Sequence, residues 1–229
     1  MSLIAANLER VRNQIADACA KAGRPASDVN LMAVSKTHPA EAALEAIAAG
    51  QRLFGENRVQ EFASKRDALA ATDAQFHLIG PLQSNKTTRA AEIFHAFDAL
   101  DSLRIAERLD ATCATLDKKL PILIEVKLSH EDTKHGLAPE ELPALLDAVA
   151  ALPQLELRGL MTVPPFSDDP EEARPYFAQL RALRDQNIER HPTLLELSMG
   201  MSHDFAVAVQ EGSTTVRVGT AIFGKREYA

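Results

Sequence analysis

The feature that most constrains the fold of this chain is alternation. Short apolar runs near Val29–Val34, Arg52–Phe54, Phe76–Ile79, Ala96–Leu100, Ile122–Val126, Leu157–Met161, Leu194–Leu197 and Thr215–Val218 read as eight strands. Between them stand alanine-rich stretches with helical apolar spacing: Pro39–Ala49, Val59–Ala70, Asn85–Phe94, Leu103–Leu116, Pro139–Ala151, Glu171–Glu189 and His203–Gln210. A further helix, Leu3–Ala22, precedes the first strand. Strands that alternate with helices pair in parallel through right-handed crossovers. The order α(βα)7β therefore predicts an α/β fold, a single (β/α)8 TIM barrel forming one domain over residues 1–229, with an extra N-terminal helix that fills the gap beside the last strand. An open doubly wound sheet competes with it, but such sheets usually carry a Gly-rich turn after the first strand. Here that turn reads Ser35-Lys36-Thr37-His38-Pro39, without glycine.

At 229 residues and 46% hydrophobic content the chain can bury one sizeable core. Its 25 basic and 32 acidic residues give a net charge of −7, so no general positive field favours nucleic acid or an anionic membrane. Glu9, Arg10, Arg12 and Asp17 interrupt any secretory leader, and no uncharged apolar run reaches the ~18 residues of a membrane span. The expectation is a cytoplasmic protein, without membrane or nucleic-acid partners, working as a monomer. Cys19 and Cys113 fall on the apolar stripes of two predicted helices, which predicts buried free thiols. Neither has metal-type spacing. His130 and His135 are five apart, which matches no usual paired-histidine ligand spacing, so no metal site is expected.

In a barrel, chemistry gathers on the loops after the strands. Lys36 follows the first strand at a position that can turn into the mouth, and burial there favours the neutral amine that attacks carbonyls. Asn57 follows the second strand, where it can cap a helix or contact a ligand. His77 lies within the third strand, and Gln83, Ser84, Asn85 and Lys86 follow it; Lys134 lies in the loop after the fifth. The strongest local signal is at the end. Leu197-Ser198-Met199-Gly200-Met201-Ser202 and Val216-Arg217-Val218-Gly219-Thr220 place small and hydroxyl residues in two neighbouring loops, where barrels commonly hold phosphate. Arg217, inside the last strand, needs a partner: the ligand or an inward acid such as Glu125. Strand one neighbours strand eight in a closed barrel. A compact molecule with an aldehyde and a phosphate could span Lys36 and the cradle; pyridoxal phosphate fits, and so does a sugar phosphate in an aldolase that uses Glu125 and Lys127.

These segments, with Ala33-Val34-Ser35-Lys36-Thr37, Phe54-Gly55-Glu56-Asn57, His77-Leu78-Ile79-Gly80-Pro81-Leu82-Gln83-Ser84-Asn85-Lys86 and Gly159-Leu160-Met161, resemble the YggS/PROSC family of pyridoxal phosphate homeostasis proteins. The resemblance runs in order from Leu3 to Gly224. It implies a barrel similar to the N-terminal domain of alanine racemase, with pyridoxal phosphate held as an internal aldimine, a Schiff base, on Lys36. It further implies that Ser198, Gly200, Met201, Ser202, Gly219 and Thr220 surround the phosphate. Arg217 would face the pyridine nitrogen, and Asn57 and His77 would lie near the ring. Arg58 departs from the aromatic that many relatives carry there, and the two histidines of the loop Ser129–Gly136 are not required by the family pattern.

The resemblance implies a vitamin B6 carrier that buffers the cofactor, delivers it transiently to pyridoxal phosphate-dependent apo-enzymes, and is not itself an enzyme. The competing function is a racemase-type enzyme. That chemistry needs a second base on the opposite cofactor face, which alanine racemase draws as a tyrosine from an additional β domain. The tyrosines here are Tyr176 and Tyr228, and neither follows a strand end. Lys86 or Lys134 is the expected secondary lysine for transfer.

Overall fold

The structure is a computed structural model and describes residues 2–129 and 135–224. Its strands are β1 (Asn30–Val34), β2 (Leu53–Glu56), β3 (Gln75–Leu78), β4 (Ala96–Leu100), β5 (Leu120–Glu125), β6 (Leu155–Met161), β7 (Glu196–Ser198) and β8 (Thr215–Val218). They close into a barrel in sequence order. Every neighbouring pair is parallel, and β8 returns to β1 with Met32 opposite Arg217 and Ala33 opposite Val218. The open sheet is thereby excluded. Closure also brings the segment after β8 beside the segment after β1.

The helices are α1 (Leu3–Lys21), α2 (Ala40–Ala48), α3 (Val59–Leu69), α4 (Thr87–Ile93), α5 (Leu103–Thr115), α6 (Leu142–Ala150), α7 (Arg174–Asn187), α8 (Phe205–Gln210) and α9 (Thr220–Phe223). The single turn α9 was not expected from the sequence. Four residues between Gly219 and Gly224 are too few to show a helical period. α1 starts at Ser2, whose Oγ accepts from Ala5 N at 3.2 Å. Its Leu8, Val11, Ile15, Ala18 and Cys19 recur every three or four residues and are buried, against α8, α9 and α2. Cys19 and Cys113 are both buried free thiols.

The main core lies between the barrel wall and the helices. Phe54, Phe62, Phe76 and Phe94 form one aromatic run with successive centroids between 4.6 and 5.1 Å apart. Each such side chain contributes about 1.5–3 kcal/mol when fully buried. Among the described residues a cavity lies at each end of the barrel, the one at the carboxyl ends lined mainly by the loops that follow the strands. No described helix is long and apolar enough to cross a membrane.

Candidate functional site

The larger cavity, about 760 Å³, opens at the carboxyl ends of the strands, where its lining includes Lys36, Asn57, Met201, Ser202, Arg217, Gly219 and Thr220. These are seven of the ten residues expected from the sequence. They meet because β8 pairs with β1 and because side chains alternate along each strand.

Lys36 is half-buried and sits in a loop fixed from below. Ser35 Oγ donates to Glu56 Oε1 at 2.7 Å, and Lys65 Nζ donates to Ser35 O (3.1 Å), His38 O (3.2 Å), Glu56 Oε1 (2.7 Å) and Glu61 Oε1 (3.2 Å). Thr37, with φ of 66°, takes the left-handed conformation, and its N–H donates to Glu61 Oε1. That conformation is uncommon for a residue with a side chain. It persists here because the loop is gripped on both sides.

Across the seam, Gly219 N–H and Ala221 N–H converge on Ser202 Oγ at 3.2 and 3.4 Å. Met201 N–H donates to Asp204 Oδ1 at 2.5 Å, which pins the other loop. Ser198 and Gly200 do not line the cavity; they support it. Ser198 Oγ accepts from Arg217 Nη1 at 2.7 Å, and Gly200 O accepts from Arg217 N at 2.9 Å. Arg217 Nη2 donates to Thr162 O at 2.8 Å. Burial disfavours the Arg217 charge, while the Glu125, Asp98 and Asp204 carboxylates favour it. Asp204 is itself pushed up by burial, against the hydrogen bond from Met201 and the charge of Arg217.

His77 requires a correction. It faces the barrel interior, one layer below Ile79, and lines the smaller cavity at the amino ends of the strands instead of the mouth. Its Nδ1 lies 3.1 Å from Asp98 Oδ1. Burial alone would lower the His77 pKa, but the Asp98 charge and hydrogen bond outweigh it and the net direction is up. A folded-state pKa above the unfolded value of about 6.5 stabilises fully below that pH and is lost as pH rises through the folded value. The thermal midpoint of the wild type should therefore fall relative to that of His77→Asn as the buffer is raised from about pH 6 to pH 9. Parallel pH profiles would show that the pair contributes no such linkage.

The other expectations divide. Lys86 does not line the mouth cavity. His130, Lys134 and Tyr228 lie outside the described residues, and His135 is exposed. Tyr176 lies on α7 and is not among the residues lining the mouth. The sequence reading missed His38, Ile79, Phe166, His203 and Asp204 as lining residues. Ile79 was recoverable, since it continues the inward alternation of Gln75 and His77 one residue past the end of β3. Among the described residues no group of His, Cys, Asp or Glu is arranged to hold a metal ion.

Comparison with known proteins adds four findings. The family described as alanine racemase, N-terminal domain, matches residues 6–227. Proteins named pyridoxal phosphate homeostasis protein are 46% identical over 228 residues in Pseudomonas aeruginosa, covering 100% of this chain and 98% of that protein, and 42% identical over 222 residues in Aquifex aeolicus, covering 96% and 97%. PipY of Synechococcus elongatus, solved with pyridoxal phosphate bound, superposes with a TM-score of 0.87 at 42% identity, covering 96% of this chain and 100% of that one. An alanine racemase from Clostridium difficile superposes at 0.73 with 15% identity and covers 97% of this chain but 58% of its own, a likeness of fold alone.

Proposed function

The chain belongs to the pyridoxal phosphate homeostasis protein family, and on that premise we propose that it is a non-catalytic carrier of pyridoxal phosphate, held covalently through Lys36 Nζ and yielded to apo-enzymes. One observation carries the reading: Lys36 and the paired N–H groups of Gly219 and Ala221 lie on the two sides of the β1–β8 seam, with Lys36, Gly219 and Ala221 all lining one cavity.

The residues present fit such a ligand. Asn57 Oδ1 is buried without a hydrogen-bond partner among the described residues, although Asn57 lines the cavity. A buried orphan acceptor costs about 1–3 kcal/mol, so a ligand donor there is favourable. The donor set of one amine, one hydroxyl and two convergent backbone N–H groups suits a carbonyl at one end and a phosphate at the other.

Pyridoxal phosphate supplies an aldehyde that forms a C=N bond with an amine and releases water. Lys36 supplies that amine from a loop the Lys65 network holds in place. Ser202, Gly219 and Thr220 would hold the phosphate, with Met201 beside them, while Ser198 and Gly200 fix Arg217 and the loop from behind. Arg217 presents a cation to the cavity. A cation near a pyridine nitrogen disfavours its protonation, which weakens the ring as an electron sink and suits holding over turnover.

The test is spectroscopic. Wild-type protein given pyridoxal phosphate, reduced with borohydride and digested, should carry the adduct on the peptide containing Lys36. Lys36→Ala should lose the tight, visible-absorbing complex. Substantial alanine racemisation by pure protein, abolished in Lys36→Ala, would overturn the carrier reading in favour of an enzyme.

A further inference from the structure

α1 stands outside the eight βα repeats, yet its polar side chains reach the phosphate side of the mouth. Asn7 Nδ2 donates to Ile222 O at 2.9 Å, and Arg10 Nη2 donates to Ala221 O at 2.9 Å. Both carbonyls belong to α9, the single turn that carries the Ala221 N–H and follows directly on Gly219.

A one-turn helix cannot hold itself. The turn is closed by Ile222 N–H and Phe223 N–H donating to Gly219 O, and by Gly224 N–H donating to Thr220 O. Those bonds leave Ala221 O and Ile222 O without a donor from the turn, as the last carbonyls of any helix are left. Isolated helices this short are not stable in water. α9 is therefore held from two sides, by α1 on its carbonyl end and by Ser202 Oγ on its N–H end. The apolar face of α1 packs against α8 as well, so one helix backs both segments that frame the cradle.

We propose that Asn7 and Arg10 are positioning residues for the phosphate: by gripping Ile222 O and Ala221 O they fix the direction of the Gly219 and Ala221 N–H groups. Neither side chain lines the cavity, so neither touches the ligand. The inference rests on the reading of these N–H groups as the phosphate site.

Arg12 provides an internal control. It sits on the same helix and also grips the barrel through backbone and side chain, but on the opposite flank, at Ala49 O (3.3 Å) and Gln51 Oε1 (3.2 Å). Removing it loosens α1 without touching α9.

Pyridoxal phosphate and pyridoxal share the aldehyde and differ in the phosphate, so the ratio of their affinities isolates the cradle. Both are titrated by absorbance against wild type, Asn7→Ala/Arg10→Ala, Arg10→Lys and Arg12→Ala. The double variant should lose about tenfold in affinity for pyridoxal phosphate and little for pyridoxal, so the ratio falls. Arg10→Lys keeps a donor of the same charge and should keep most of the ratio, and Arg12→Ala should keep all of it. An unchanged ratio in the double variant overturns the inference, and so does an equal fall in Arg12→Ala, which would make general docking of α1 the cause. A wild type that binds both ligands equally removes the phosphate reading itself. A wild type that prefers the phosphate ester beside a double variant with the same preference overturns the positioning role alone.

Discussion

Lys65→Met should lower the unfolding free energy at neutral pH by about 3–5 kcal/mol, the cost of leaving a buried charge without its partner. In a domain of this size that is a fall in thermal midpoint of roughly 6–20 °C. The Lys65 side chain is 9% exposed and that of Glu56 is 1% exposed, so neither charge can turn to water when the other is removed. Burial already pushes the Glu56 carboxyl up, opposed chiefly by the Lys65 charge and then by the hydrogen bonds from Lys65 and Ser35. Without Lys65 the upward push is almost unopposed. A carboxyl raised above its unfolded value of about 4.3 favours folding when protonated, and that stabilisation disappears as pH rises through the folded value. The deficit of Lys65→Met relative to wild type should therefore shrink as the buffer is acidified from pH 7, which urea unfolding at several pH values reads directly. Glu56→Gln/Lys65→Met should recover part of the loss, because no buried charge is then stranded. Equal deficits at all pH values would mean that lost packing of the lysine stem is the cause. The same substitution removes the Lys65 donor from Ser35 O and His38 O, so the Lys36 loop should bind pyridoxal phosphate less tightly at temperatures where the variant is still folded.

That network shows where the sequence was legible and where it was not. The alternation gave the closed barrel because each strand repeats the same signal, and β4 and β8 have the bounds their apolar runs predict. β5 begins two residues earlier than its apolar run, at Leu120-Pro121, since a proline argues against a strand until its position at the barrel rim is known. β7 begins two residues later than its run and ends one later, at Ser198; Leu194 N–H turns back to His191 O instead of joining the ladder. Lys65 lies on the apolar stripe of α3, between Phe62 and Leu69, and a lysine in that register was the one available sign of a buried cation. His77 shows the opposite limit. Period-2 alternation gives the face of a strand but not the depth, and two residues of depth separate the mouth, at Ile79, from the lower cavity. Lys36, Asn57, Arg217 and the two small-residue loops were legible because strand ends and closure fix their depth as well as their face.

Gly200→Ala should remove tight binding of pyridoxal phosphate, by about a hundredfold or more, at a stability cost of about 2–5 kcal/mol. Two independent effects combine. Gly200 has φ of +94°, where an L side chain is strained. The added methyl would also stand 2.5 Å from Ala208 Cβ and 2.9 Å from Phe205 Cα, so α8 must move. Relief in either direction displaces Met201 and Ser202, because the chain runs from Gly200 straight into them. Ser202 Oγ would then no longer meet the Gly219 and Ala221 N–H groups. The Gly200 O bond to Arg217 N would be disturbed at the same time. Gly212→Ala separates the effects. Gly212 has φ of +95°, the same backbone strain, but its added methyl would meet only Arg181 Cδ at 3.5 Å, an ordinary contact with a flexible side chain. It lies in the turn between α8 and β8 and does not line the cavity. Gly212→Ala should therefore cost about 1–2 kcal/mol in urea unfolding and leave pyridoxal phosphate affinity unchanged. If both variants lose affinity in proportion to stability, the cradle has no special dependence on Gly200. If only Gly200→Ala loses affinity, and loses it for pyridoxal phosphate far more than for pyridoxal, the close approach of α8 to Gly200 is what sets the loop for the phosphate.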